Sequence, residues 1–392
     1  MDKPPAVSSP PLASRILPAG LALPQIGPGV QPMVLAQITE LTGTGAVAGG
    51  AWRDGVEMAV VEINAQGGVL GRPLQLLTYD SQSTPAGARA SAQRALDAGP
   101  LALLGPMSSL TAIAVAPMAR NRRVCLITGA ESGLLLAQAN PQVVLTGPGQ
   151  TLRLGKLARW AQAGLRARRI ALLWSNTEVL RDIRNAFLQA ARKAGLEIAA
   201  DVAAVPGQPA GAFAAGLATD VGRVVRSAPD AVFLAASQEQ AARMLIELHA
   251  RAPALPVFGE ATLLNVQTLD AAGPAAVGLR AHVPLTADAP LSSLEAFHQR
   301  FNTRFKAAPG AAAIKGYIAV AMVKAAVEKL GRVDPHAIAE TLRGRSFAAR
   351  DQPGLLLDTA WTDTGEADRL TFMAELREDR SLAWSVLPAM QG

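Results

Sequence analysis

DGVEMAVVEINAQGGVLGRPLQLLTYD, residues 54–80, decides the fold of this chain. Val56, Ala59, Val60 and Ile63 recur at i, i+3, i+4 and i+7, which lays one apolar stripe along a helix. Asn64 and the pair Gly67–Gly68 close that helix, because glycine takes the left-handed conformation of a helix end without steric cost. Residues 73–79 then form a strand that closes at Tyr79–Asp80. Upstream, MVLAQIT at 33–39 is the first strand, and the glycine-rich ELTGTGAVAGGAW follows it. Downstream, Thr84 caps a helix with Pro85 in its first position, and that helix runs to about Ala98. LALL at 101–104 is a short buried strand ending in Gly105–Pro106. Ser108 or Ser109 caps a third helix, expected to stop near Pro117, and VCLIT at 124–128 is the fourth strand. Strands and helices thus alternate, which implies an α/β unit with a parallel sheet covered on both faces.

Near residue 149 the pattern restarts. Helices at 151–164, 179–194, 211–227 and 238–250 precede strands at 170–174, 197–202, 231–236 and 256–259. A Gly/Pro/Ala stretch around 271–290 reads as a linker, and helices at 292–307 and 311–330 follow. A short helix after Asp334–Pro335 comes next, then a β-like tail over 355–387 with the turn TDTGE. The first unit has fewer elements than the second, so a return of the chain to it is expected.

Composition removes several function classes. The chain of 392 residues carries a net charge of +6, but its arginines are scattered, with Arg166, Arg168 and Arg169 in a tight cluster. Without a basic stripe, and with 4% aromatic residues, nucleic acid is not an expected partner. Cys125 stands alone inside an apolar run, so an internal disulfide is impossible and the side chain reads as core. His249, His282, His298 and His336 lie far apart, so no metal is expected, and no cofactor either. No run approaches the roughly 18 apolar residues of a membrane span. Residues 1–31, with Lys3 and Arg15 ahead of ILPAGLALP, read as an atypical leader broken by Pro18 and Pro24. They are expected to be extended and take no part in the fold.

One motif points toward an enzyme. Gly43-Thr44-Gly45-Ala46-Val47-Ala48 matches G-x-G-x-x-A between a strand and a helix, the setting of a dinucleotide fingerprint. Asp80 ends the next strand but lies 37 positions after Gly43, against about 20 in the fingerprint. Gly49–Gly50 is expected to delay the helix and widen the loop, which suits a small molecule better than a pyrophosphate. A nucleotide-dependent oxidoreductase therefore stands as the alternative. Glu131, Glu178 and Glu260 lie near strand ends where an acid or base could act, but no G-x-S-x-G elbow or histidine pairing accompanies them, and no catalytic residue is assigned.

The positive signal is where the polar residues fall. Open α/β sheets bind ligands beyond the carboxyl ends of their strands. In the first unit those ends carry 42–50, Asp80, 105–109 and 128–132; in the second, 175–177, Ser237–Gln238 and 259–262. Hydroxyls and free backbone N–H groups at helix starts suit a carboxylate or another polar head group.

The block DGVEMAVVEINAQGGVLGRPLQLLTYDSQSTP, followed by LLGPMSS, VCLITGAES and KGYIAVAMVKAAVEK at 315–329, resembles the type I periplasmic solute-binding proteins of the leucine/isoleucine/valine-binding family. The resemblance covers roughly 32–387. It implies two Rossmann-like α/β lobes joined by a three-segment hinge, with a ligand held in the cleft between them. Lobe one would take 32–148 and about 282–355, and lobe two 149–281 and about 356–392. It further implies a monomeric periplasmic receptor that closes on a small amino-acid-like or organic-acid ligand and delivers it to an inner-membrane ABC permease. A cytoplasmic sensor of the same fold is the alternative that the atypical leader suggests. Carried over by position, Ser109 matches a serine that binds the ligand's carboxylate, with Ser108 beside it. Ala130 and Ser132 match positions that hold its amino and carboxylate groups. Glu260, or its neighbour Ala261, matches an acidic partner of the ammonium. The chain departs where the family places aromatic walls, at Ala48, at Ser237 and around Val179–Leu180 beside Glu178. A site without those walls suits a different ligand, such as a larger organic acid, an amide or an aromatic compound.

Overall fold

The computed structural model describes residues 30–204 and 210–390, so the expected leader falls outside it except for its last two residues. The first unit runs β1 (Met33–Thr39), α1 (Ala46–Ala65), β2 (Leu74–Asp80), α2 (Pro85–Asp97), β3 (Ala102–Leu104), α3 (Ser109–Arg122), β4 (Cys125–Thr128), α4 (Gly133–Ala137) and β5 (Val143–Leu145). The second runs α5 (Gln150–Gly164), β6 (Arg169–Ser175), α6 (Glu178–Lys193), β7 (Glu197–Ala204), α7 (Ala210–Arg226), β8 (Ala231–Ala235), α8 (Gln238–Arg251), β9 (Val257–Glu260), α9 (Val266–Ala272) and β10 (Arg280–Val283). Then follow α10 (Ser292–Phe305), α11 (Ala311–Leu330), α12 (Ile338–Leu342), β11 (Ser346–Phe347), β12 (Thr359–Trp361), β13 (Ala367–Asp368), β14 (Thr371–Leu376) and β15 (Leu382–Leu387).

Three sheets result. The first is parallel, in the order β2-β1-β3-β4-β5. The second has the order β15-β14-β10-β9-β8-β6-β7, with β14 and β15 antiparallel at one edge. Alternation along a strand supplies both faces of each sheet. Met33 and Leu35 of β1 enter one core of lobe one, while Ala36 and Ile38 enter the other. In lobe two, Ala171 and Leu173 face one core, and Ile170, Leu172 and Trp174 the opposite one. The small antiparallel sheet β11-β12-β13 extends lobe one: Leu145 N donates to Gly365 O at 2.8 Å and Ala367 N to Gly147 O at 3.2 Å. Cys125 is buried there, and burial pushes its thiol up to about 12, as suits an inert core residue.

The chain comes back to lobe one through α10 and α11, whose apolar faces join the core that α1 and β1 also line. Two glycines set how closely α11 meets α1. A Cβ at Gly55 would lie 1.9 Å from Ala313 O, and one at Gly316 would lie 2.2 Å from Trp52 O. Backbone touches backbone, a spacing no side chain allows.

Several boundaries differ from the sequence expectation. α1 starts at Ala46 and runs through Gly49 and Gly50 instead of starting after them, so the preceding turn is tight. α3 does not stop near Pro117 but continues to Arg122, because Val115, Ala116 and Ala119 are buried on its inner face and that packing outweighs the missing hydrogen bond. β5, α9 and β10 lie in stretches read as connections; four residues or fewer of buried strand show no period. Trp361 Nε1 donates to Leu145 O at 3.1 Å, and Trp361 and Ala367 fill the lobe-one core, so 359–368 stay with that lobe.

Replacing Gly316 by Ala should therefore destabilise the chain by about 1–3 kcal/mol. Gly50→Ala, with nothing within 4 Å of the new methyl group, should be neutral or stabilising. Urea titration of both variants checks this; a tolerant Gly316 would refute the close helix contact.

Candidate functional site

Both parallel arrays point their carboxyl ends toward one region. In lobe one β1 ends at Thr39 and the next residue is Glu40, whose side chain is buried. Its carboxylate accepts from Met107 N and Ser108 N, each at 3.2 Å, and from Thr111 Oγ1 at 2.6 Å. Met107 and the N-cap Ser108 lead into α3, and Thr111 lies on its first turn, where the helix dipole favours negative charge. The G-x-G-x-x-A turn makes room for it. A Cβ at Gly45 would lie 2.8 Å from Glu40 Cγ, and one at Gly49 would lie 2.1 Å from Glu40 O. Asp80 is also engaged by its own loop, accepting from Leu41 N, Thr42 Oγ1 and Gln82 N at 2.9, 2.6 and 2.8 Å. Burial would raise its pKa, but the bonds from the Thr42 hydroxyl and the loop N–H groups outweigh it and hold the carboxyl below its usual range.

A chain of alternating charges crosses from one lobe to the other. Lys315 of α11 donates to Glu131, in the β4–α4 turn, and to Gly129 O at 3.3 Å. Arg153, on the first turn of α5, donates through Nη1 to Glu131 and through Nε to Glu260 Oε1 at 2.9 Å. The Arg153, Glu131 and Glu260 side chains keep only 12, 22 and 15% of their surface in solvent. Burial would raise the Glu131 pKa, but the Lys315 and Arg153 charges outweigh it and hold that carboxyl below its usual range. Against the cost of burial, Glu131 and Glu260 hold the Arg153 guanidinium above its ordinary value.

A second polar layer lies at the crossovers. Lys156 pairs with Asp368 at 2.8 Å, with both side chains almost fully buried. Lys156 also donates to Arg369 O and Pro388 O. Arg369, itself buried, donates to Thr146 O at 2.8 Å, and burial brings its guanidinium down to about 10 despite Asp368. His282 of β10 meets Thr371 Oγ1 at 2.9 Å. Burial, and then the nearby Arg153 and Lys156 charges, push its imidazole down to about 3.

The residues singled out in the sequence fall as follows. Ser108 is the N-cap of α3 and Ser109 its first residue, and among the described residues neither hydroxyl has a partner within the chain. Ala130 is buried, and its N–H is taken by Thr128 Oγ1 at 3.1 Å. Ser132 Oγ caps α4 by accepting from Leu134 N at 3.2 Å. Ala48 is an exposed residue of the first turn of α1, not of a loop. Glu178 is exposed at the start of α6, and Ser237 is exposed as the N-cap of α8, beside a crevice that Ile246 and Gln267 line. Of these, only Glu260 joins the charge chain. Glu131, singled out only as a strand-end acid, is at its centre. Glu40, Arg153 and Lys315 were not singled out. Their signals were a carboxylate just after the first strand, an arginine opening a helix at a crossover, and a lysine near the start of an apolar helix. Among the described residues no group of three or more His, Cys, Asp or Glu is arranged to hold a metal ion. No described helix is long and apolar enough to cross a membrane.

A family model described as periplasmic binding protein matches residues 32–381. A Leu/Ile/Val-binding protein of Rhizobium johnstonii is 24% identical over 343 residues, covering 87% of this chain and 90% of that protein. The branched-chain amino acid transporter substrate-binding protein of Streptococcus pneumoniae, solved with isoleucine, superposes with a TM-score of 0.68 at 18% identity, covering 91% of this chain and 100% of that one. An R. palustris ABC-transporter solute-binding protein, solved with benzoate, superposes with a TM-score of 0.66 at 19% identity, covering 92% and 98%. These two likenesses show the fold.

The hinge histidine makes stability depend on pH. Unfolded, His282 takes its proton near 6.5; folded, it stays neutral until about 3. Stability should thus fall as the pH drops below 6.5, by up to about 1.4 kcal/mol per pH unit. Glu131 adds a further loss below 4.5, because its proton binds more weakly in the folded state. Urea unfolding across this range should give a shallower slope for His282→Gln than for the parent above pH 4.5; equal slopes would count against a buried neutral imidazole.

Proposed function

The chain belongs to the periplasmic binding protein family, and we propose that it is the solute receptor of an ABC importer, taking a small organic molecule into the cleft between its lobes. As a member of that family it is a binding protein and not an enzyme. The observation that carries the proposal is the ionic chain at the carboxyl edges of the two sheets. Arg153 of lobe two holds Glu131 of lobe one and Glu260 of lobe two at once. Contacts of this kind between the lobes contribute to the free energy of closure, and a ligand in the cleft adds to them. The three crossovers then act as the hinge.

In this proposal lobe one presents Ser108, Ser109, Ala130 and Ser132 to the ligand, with Ala48 at the mouth. Lobe two closes over it with Glu178, Ser237 and the Glu260 region. The partner is an inner-membrane ABC permease, the receptor acts as a monomer in the periplasm, and no nucleic acid takes part. The isoleucine and benzoate in the two solved proteins support a small organic solute as the class of ligand.

A metabolite panel read by thermal stabilisation, followed by small-angle scattering for closure, tests this. At least one compound should stabilise the chain and make it more compact; a panel with no response would refute the receptor. Ser109→Ala should weaken binding of the identified compound by about 1 kcal/mol, roughly fivefold; an unchanged affinity takes Ser109 out of the site. Fractionation of cells expressing the full chain should place it in the periplasm, and cytoplasmic retention would favour a sensor of the same fold.

A further inference from the structure

The polar anchors on the two cleft edges are already filled by the chain itself. At the N-terminus of α3, where an incoming anion would find two N–H donors and a hydroxyl, the Glu40 carboxylate is already seated. On lobe two, the acid that ends β9, Glu260, already holds the Arg153 guanidinium. On lobe one, Glu131 is shared between Arg153 and Lys315. The four groups Lys315, Glu131, Arg153 and Glu260 sum to zero charge. A ligand bearing a net charge would have to break one of these pairs and leave a buried partner uncompensated, or be buried unpaired itself, and both are costly.

We propose, building on the receptor function above, that Glu40 is a built-in carboxylate occupying the anion seat of lobe one, and that with Arg153 it restricts the receptor to solutes whose head group carries no net charge. Gly45 and Gly49 make room for that residue, since a Cβ at Gly45 would meet its stem and one at Gly49 its backbone. What the cleft leaves free is hydrogen-bonding and apolar. Among the described residues, the Ser108 and Ser109 hydroxyls have no partner within the chain. Large apolar side chains stand exposed on the first turns of helices at both edges: Val47, Leu110 and Leu134 in lobe one, Val179 and Val266 in lobe two. The solute class that fits is an apolar body carrying an amide or hydroxyl, covered when the lobes close.

The test empties the seat. In full-length Glu40→Gly, acetate should restore what the missing side chain supplied. The melting temperature of the variant should rise with the logarithm of acetate concentration, chloride at equal ionic strength should give no rise, and the parent chain should respond to neither. If the variant does not accumulate alone, its soluble yield on refolding with and without acetate gives the same comparison. A variant indifferent to acetate overturns the seat. On the parent chain, the uncharged benzamide and N-acetylisoleucinamide are compared with the anions benzoate and N-acetylisoleucine, beside the compounds found in the panel. Stronger stabilisation by any carboxylate than by its amide overturns the charge restriction. The acetate response does not depend on transport, so a silent panel would refute the receptor while leaving the seat decided on its own result.

Discussion

Arg153 held between Glu131 and Glu260 is the interaction on which the relation of the two lobes depends. Its partners come from different sheets, so the guanidinium fixes how the two carboxyl edges face each other. A guanidinium donates along fixed in-plane directions, which sets orientation as well as distance. Beneath it the crossovers repeat the device. Thr146 accepts from Arg369, His282 meets Thr371, and Lys156 holds Asp368. Each crossover contributes a polar group to this buried layer. Apolar residues of equal volume could be as stable in such places. What the polar layer adds is direction, because hydrogen bonds fix the relative orientation of the crossovers where aliphatic packing would tolerate sliding.

The glycine turn after β1 shows how one local geometry serves a different end. In a dinucleotide fold the glycines let a pyrophosphate approach the helix backbone. Here they let Glu40 cross the turn and reach the start of α3. Asp80 is the residue that would meet a ribose, and it instead ties down Leu41, Thr42 and Gln82. The spacing of Gly43, Gly45 and Ala48 is thus genuine as a close-approach motif, but what approaches is the chain itself.

How much of this was legible follows from where the information resides. The stripe Val56, Ala59, Val60 and Ile63 is buried as its spacing predicts, since a helix with one wet face must repeat at 3.6 residues. β5 and β10, three and four residues long, carry no such signal, and their place in a sheet is set by neighbours far along the chain. The strand-end rule puts Ser108, Ser109, Glu131 and Glu260 at the carboxyl ends of β3, β4 and β9. It could not give their partners, because Arg153 lies 107 residues from Glu260 and Lys315 lies 184 from Glu131. The Lys315 pairing exists only once α11 has returned to α1, which depends on Gly55 and Gly316, residues without side chains to announce it.

Frame and lining are therefore under different constraints. The frame requires backbone contact at α1 and α11, alternating apolar residues on both sheet faces and a filled hinge. A change in any of these is felt through the whole lobe, because interiors are close-packed. The cleft edges sit at helix starts, where a side chain can change without moving the backbone. The likeness in fold to proteins solved with isoleucine and with benzoate, at 18 and 19% identity, accords with that division. A carboxylate at position 40 exploits it. It leaves the sheet and the α3 helix intact, yet it changes the charge that a visitor to the cleft would meet. One residue in a turn, given room by two glycines, can redirect what the cleft accepts while the lobes and their hinge remain as they are.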